Sequence, residues 1–251
     1  MAEGMIRSIE RAIDILQAFS QENSSLSLSD ICRLVDLPKT TVFRIINTLE
    51  DRNLLFQDPV TGKYLLGYEL IHLGEEAQSS NDLAKLAYRS MEHVSLVTRQ
   101  TCNLYVRQGF ERVCIAQVTG SEYVRKYSYL GAHHPLYCGA GKLLLAYSDP
   151  DFLKTYFSTV KLLQYTKNTI TDLTLLQEEL NRVREQGYSV SLGERDDISA
   201  AVAVPVFNYS NQVVAALTIS GPIYYFTTET IQEYVDVLTK EALELSQKLG
   251  H

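Results

Sequence analysis

The chain has 251 residues, 45% of them hydrophobic and 21% charged, with a formal net charge of −7. That composition suits a packed globular protein and leaves room for two domains. Apolar runs such as 142–147 and 200–207 fall far short of the roughly 20 residues a membrane span needs. Glu and Arg punctuate MAEGMIRSIERAIDIL where a signal peptide would be continuously apolar. The expectation is a cytoplasmic protein with no membrane partner. The acidic balance also excludes a diffusely basic nucleic-acid binder. Even residues 1–67 carry seven Lys and Arg against nine Asp and Glu, so any nucleic-acid contact must come from the placement of a few cations. Cys32, Cys102, Cys114 and Cys138 form no C-x-x-C pair and meet no His at a zinc-finger interval. They read as buried small apolar residues, and no metal is expected.

In chain order, Ile6, Ile9, Ile13 and Leu16 recur at helical spacing within 6–19. QENSSLS (21–27) is a polar break. Ser27 with Asp30 three residues on reads as a capping box before a helix over 28–35. DLP (36–38) is a very short turn, and Pro38 suits the first position of a third helix. There Val42, Ile45, Ile46 and Leu49 form the apolar stripe, with Lys39, Thr40, Thr41, Arg44 and Thr48 mostly off it. LLFQ (54–57), DPVTG (58–62) and KYLL (63–66) read as strand, turn and strand. Helix, helix, tight turn, helix and hairpin make a winged helix-turn-helix over residues 5–67.

From 68 to 98 the pattern is helical again, with Leu70, Leu73, Leu83, Leu86, Ala87, Met91 and Val94 as inward candidates. EEAQSSND (75–82) is its weak point, which makes 68–81 a helical linker to a second domain, 82–251. Short strands follow: TCNLYVR, RVCIAQV and YVRKYSYL. A Gly-rich turn leads into KLLLAY, and Asp149 with Pro150 opens the next helix. A longer helix, 172–186, closes at Gly187. YSVS, AAVAVPVF and QVVAALTIS are further strands, and an amphipathic helix fills 228–248. Antiparallel-looking strands with flanking helices give an α+β domain.

The polar face of the third helix invites an anion. Leu37 offers no oxygen to cap it, so its first N–H groups are open to a phosphate. Lys39 at this end opposes the helix dipole by roughly 0.3–1 kcal/mol, a penalty that an anion removes. Thr40, Thr41 and Arg44 can reach base edges or phosphates. Phe43 and Thr48 join the candidate DNA-binding set, and Lys63 and Tyr64 of the hairpin would touch the flanking backbone. The alternative is a solvated helix in a small helical subdomain.

The stretch SIERAIDILQAFS…LSLSDICRLVDLPKTTVFRIINTLEDRNLLFQDPVTGKYLLGYELIHLG resembles the DNA-binding half of IclR-type transcriptional regulators, which carry a similar LPKST-V-aromatic/His-R-LL-TL core. GAHHPLYCGAGKLLLA, GYSVSLGE and AVAVPVF…VVAALTISGP resemble that family's effector-binding domain. The resemblance runs in order along nearly the whole chain. It implies a GAF-like α+β effector domain with an antiparallel sheet, a homodimer or homotetramer on a palindromic operator duplex, and a small metabolite as effector. It implies no cofactor and no catalytic residue.

GAHHPLYCGAGKLLLAY (131–147) is not an ATP loop, because Leu136 and Leu143 stand where G-x-x-x-x-G-K-[ST] needs Gly and Ser or Thr. Gly139, Ala140 and Gly141 open a helix, where close approach and free N–H groups suit a carboxylate. Tight helix–sheet packing explains the same glycines. The resemblance implies an effector site at Gly139 and Ala140, completed at Ser191, Ala201, Thr218 and Ser220. Relatives carry Asp and Cys at the positions of Ser191 and Ala201, so the expected pocket is less polar and takes a larger or less polar carboxylate. Tyr123, Arg125, Tyr127 and Tyr129 alternate along 123–129. That face either stacks and pairs an aromatic effector, through Arg125 and Tyr129, or is an ordinary amphipathic sheet surface. GERDD (193–197) reads as a metal or carboxylate cluster or as a charged loop before a buried strand. His133 and His134 are adjacent, so on a strand they would point to opposite faces and share no metal. Two functions remain: a carboxylate-responsive regulator of a catabolic operon, and an enzyme on a small carboxylate tethered by a DNA-binding domain.

Overall fold

Residues 6–20, 22–121 and 129–251 are described in a computed structural model. The chain divides into two units, Met1–Ser80 and Asn81–His251.

In the first unit, helices α1 (Arg7–Gln17), α2 (Leu28–Val35) and α3 (Lys39–Asp51) precede a hairpin of β1 (Leu55–Gln57) and β2 (Tyr64–Leu66). The capping box forms: Ser27 Oγ accepts from the Asp30 N–H and Asp30 Oδ2 from the Ser27 N–H, both at 3.2 Å. Asp36 adopts the left-handed conformation (φ 49°), which a short polar side chain tolerates. The chain thereby reverses between α2 and α3 within three residues. Pro38 stands at the N-cap rather than at the first helical position. Its carbonyl accepts from the Thr41 and Val42 N–H groups at 2.9 and 3.1 Å, so Lys39 leads the helix. Ile15, Ile31, Val42, Ile46, Leu49, Leu55 and Tyr64 form the core. Each such side chain, fully buried, contributes roughly 1.5–3 kcal/mol. The Ile6, Ile9 and Ile13 stripe at α1 points out, 60, 54 and 47% exposed. A fourth helix, α4 (Glu69–Ser79), buries none of its residues.

In the second unit, α5 (Asp82–Thr98) leads into a six-stranded antiparallel sheet. Its strands are β3 (Thr101–Gln108), β4 (Glu111–Val118), β5 (His133–Pro135), β6 (Ser189–Leu192), β7 (Ser199–Phe207) and β8 (Val213–Pro222), in the order β5-β4-β3-β8-β7-β6. Side chains alternate between two buried faces. Leu104, Val202, Val204, Leu217 and Ile219 share one core with α5 and with α9 (Thr228–Lys248). Tyr105, Cys114, Ala203 and Ala216 share the other with α6 (Gly141–Ala146), α7 (Pro150–Thr159) and α8 (Leu173–Gln186). The helix boundaries follow their caps: Asp149 accepts from Phe152 N–H ahead of Pro150, Asp172 caps α8, and Gly187 (φ 82°) ends it.

His133–Pro135 is a short edge strand. Leu73 and Leu86 are 50 and 39% exposed, not core. The expected strand at 123–129 lies outside the described residues except for Tyr129, which is not in a strand.

Candidate functional site

On α3, Val42, Ile46 and Leu49 face the core. Helical periodicity therefore leaves Lys39, Thr40, Phe43, Arg44 and Thr48 exposed and Thr41 half-buried. No side chain caps the helix start. The Thr48 hydroxyl donates to the Arg44 carbonyl at 3.0 Å, so it is held within the helix. Lys63 is exposed on the hairpin. Tyr64 is not a surface contact. Its backbone pairs with Leu26 in both directions, at 2.8 and 3.0 Å, and its ring is 4% exposed within the core. Strand alternation puts Lys63 and Tyr64 on opposite sides, so only one of them can face outward.

The second site is built by strand register. Ser191 pairs with Ala201, and Ala201 with Ser220, so three side chains from β6, β7 and β8 lie in one row. Two residues along the same face, Ala203 pairs with Thr218, and Thr218 with Asn103 of β3. The turn before α6 closes over these rows. The result is a cleft of about 50 Å³ lined by Gly139, Ala140, Ser191, Ala201, Thr218 and Ser220, together with Tyr105, Arg112, Arg195, Asp196, Ser199 and Ala200. Six of the eight expected effector residues thus meet around one space. Tyr129 is 41% exposed and does not line the cleft. Arg125 lies outside the described residues.

The turn is held by charge. Gly139 N–H donates to Glu194 Oε2 at 2.8 Å, so this N–H is taken by the protein itself rather than left open for a ligand. Lys142 is 1% exposed and is held by Glu194, by Glu179 at 2.7 Å and by the Val190 carbonyl at 2.9 Å. The Gly-Lys pair therefore serves a buried ion-pair network. GERDD divides its work: Glu194 holds the turn, Asp196 accepts from Ser199 Oγ at 2.6 Å, and Arg195 lines the cleft. Among the described residues, no group of three or more His, Cys, Asp or Glu gathers as a metal site.

Two arginines at the cleft escaped the sequence reading. Arg112 on β4 is 5% exposed and donates through Nη1 to the Pro135 and Cys138 carbonyls, both at 2.6 Å. Arg195 Nη1 lies 2.9 Å from His134 Nε2. Burial, reinforced by the charges of Arg112 and Arg195, pushes the His134 pKa down to about 3, so its ring is neutral. A clue to Arg112 existed: it shares a strand face with Cys114, which is small and buried. Two guanidinium groups, Arg112 and Arg195, line the cleft beside the small side chains of Ala140, Ala200 and Ala201.

A winged helix with an uncapped, outward-facing third helix, followed in sequence by an α+β unit with a polar internal cleft, is the build of a DNA-binding protein with a sensory domain. The family models agree. The IclR helix-turn-helix domain matches residues 8–59, and the bacterial transcriptional regulator IclR C-terminal domain matches 75–247. The chain belongs to the IclR family of DNA-binding transcriptional regulators. It is 33% identical over 247 residues to the HTH-type transcriptional regulator KdgR of Escherichia coli, covering 98% of this chain and 94% of that one. It is 29% identical to KipR of Bacillus subtilis, covering 98% of each. Among solved structures, an IclR transcriptional regulator from Alicyclobacillus acidocaldarius aligns with a TM-score of 0.86 at 30% identity, over 98% of this chain and all of that one. An IclR homologue complexed with 4-hydroxybenzoate, from Microbacterium hydrocarbonoxydans, shares the fold at a TM-score of 0.81 and 24% identity, over 96 and 98% of the two chains. No helix among the described residues is long and apolar enough to cross a membrane.

Proposed function

We propose that this regulator grips operator DNA through Lys39, Thr40, Thr41, Phe43, Arg44 and Thr48 of α3, with Lys63 on the flanking backbone. A small carboxylate bound in the Ser191–Ala201–Ser220 cleft sets the strength of that grip. The observation that carries the reading is the convergence of three sheet residues and the Gly139–Ala140 turn on one small cleft lined by Arg112 and Arg195. Hydroxyls and guanidinium groups are hydrogen-bond donors that suit an anionic oxygen. The fold relative with 4-hydroxybenzoate supports a carboxylate as the ligand class. The 50 Å³ cleft favours a smaller one here. The exposed Ile6, Ile9 and Ile13 face of α1 supports a homodimer or homotetramer, and we place the protein in the cytoplasm. The target is a catabolic operon handling the same carboxylate.

Coupling of 1–3 kcal/mol between the cleft and the operator, about 5–150-fold in affinity, is enough for control. The test is a melting-temperature screen of the full chain against small carboxylates, followed by operator titration with each hit. The regulator reading expects stabilisation, an altered operator affinity and an unconsumed ligand. A hit that is turned over points instead to a DNA-tethered enzyme.

A further inference from the structure

Arg112 is a buried cation on β4. Among the described residues no carboxylate lies within ion-pair distance of it, whereas its buried neighbour Lys142 has two. Its Nη1 is satisfied by two carbonyls, and its guanidinium carbon stands 5.2 Å from the Tyr105 ring centroid. Its Nε is buried and has no hydrogen-bond partner among the described residues. A charge taken out of water and left unpaired is costly unless something anionic completes it. Arg112 lines the cleft, so the place for that anion is the cleft itself.

The other polar groups there point the same way. Asn103 is fully buried, and its Nδ2 donates to Ser220 Oγ at 2.8 Å. Ser220 Oγ is therefore already an acceptor, and its own proton is left to give to a ligand. The Asn103 carbonyl oxygen accepts from Gln117 at 2.8 Å, which fixes the amide's orientation. Asp196 also lines the cleft, but its oxygens accept from Ile198 N–H at 3.3 Å and Ser199 O–H at 2.6 Å. Arg195 adds a second cation.

Resting on the proposal that the cleft binds a carboxylate, we infer that Arg112 is its specificity-determining residue. The ligand's carboxylate is the missing counter-ion, and Asn103 positions Ser220 as a second donor. The cleft then takes a small monocarboxylate and rejects the uncharged amide of the same shape.

The experiment follows thermal unfolding of the full chain at fixed ionic strength while chloride is exchanged for pyruvate, with pyruvamide and inorganic phosphate as parallel titrants. Pyruvate should stabilise the wild type saturably and pyruvamide should not. Arg112→Gln should weaken the pyruvate response about 30-fold or more, with Arg112→Lys between the two. Equal responses to pyruvate and pyruvamide, a response to phosphate alone, or no response in the wild type would each overturn the inference, and none of these needs a variant that folds. Ala201→Leu crowds the cleft without altering Arg112. If it abolishes the pyruvate response while Arg112→Gln keeps it, the cleft reading stands and the role of Arg112 falls. If both variants respond as the wild type does, both readings fall.

Discussion

The Gly139 N–H donates to Glu194 Oε2 at 2.8 Å, and Lys142 holds the other oxygen of the same carboxylate. One buried ion-pair network thus fixes the turn that roofs the cleft. Burial alone would push the Glu179 carboxyl up, but Lys142 and Arg182 outweigh it and hold it below its ordinary value. Lys142→Met should leave the buried Glu194 carboxylate without its lysine and Glu179 with Arg182 alone, and destabilise the protein by about 3–5 kcal/mol. Urea unfolding followed by far-UV circular dichroism measures it. A loss below about 1 kcal/mol would mean that the network contributes little.

Gly141→Ala should be similarly intolerable, for a steric reason. A Cβ there would stand 2.6 Å from both the Cα and the carbonyl oxygen of Leu136, backbone atoms that cannot swing aside. Overpacking of this kind costs about 1–3 kcal/mol. The same unfolding assay should show it, together with a loss of any pyruvate response.

His134 predicts a pH dependence with a definite sign. Its folded pKa of about 3 lies below the ordinary 6.5, so between those values the unfolded chain takes a proton that the fold refuses. The stability it confers is complete above pH 6.5 and is lost as pH falls towards 3, by about 1.4 kcal/mol per pH unit. From pH 6.5 to 5 the loss is about 2 kcal/mol. His134→Gln should flatten the stability-against-pH slope by one proton over that range. An unchanged slope would show that the ring is protonated in the fold.

On the DNA side, Lys39→Ala should reduce the salt slope of operator binding by about one counter-ion. Tyr64→Phe should leave operator affinity unchanged because the ring is core, while Tyr64→Ala should cost stability by roughly 3–5 kcal/mol. A loss of affinity in Tyr64→Phe without a loss of stability would return that hydroxyl to the interface.

How far these features were legible depended on whether they are local. The caps at Ser27, Asp149 and Asp172 and the stop at Gly187 are written in neighbouring residues, and the helices begin and end by them. The apolar stripe of α3 is likewise local, and its opposite face is exposed. The α1 stripe is legible as an apolar face and is exposed, but periodicity does not say what covers it. Strand pairing is not local at all. Ser191, Ala201 and Ser220 form a row only through the β6–β7–β8 register, and their grouping was expected from the family resemblance rather than from spacing. Arg112 stayed hidden because it reaches the cleft from β4, more than twenty residues ahead of the turn it supports.

The most direct test of the central claim is Arg44→Ala at an operator recovered by selection from random duplex, with affinity measured by fluorescence anisotropy at fixed salt. An outward-facing Arg44 that reads the duplex predicts a loss of about 1–3 kcal/mol, roughly 5–150-fold, and relaxed preference at one base position. Wild-type affinity and selectivity in that variant would contradict it.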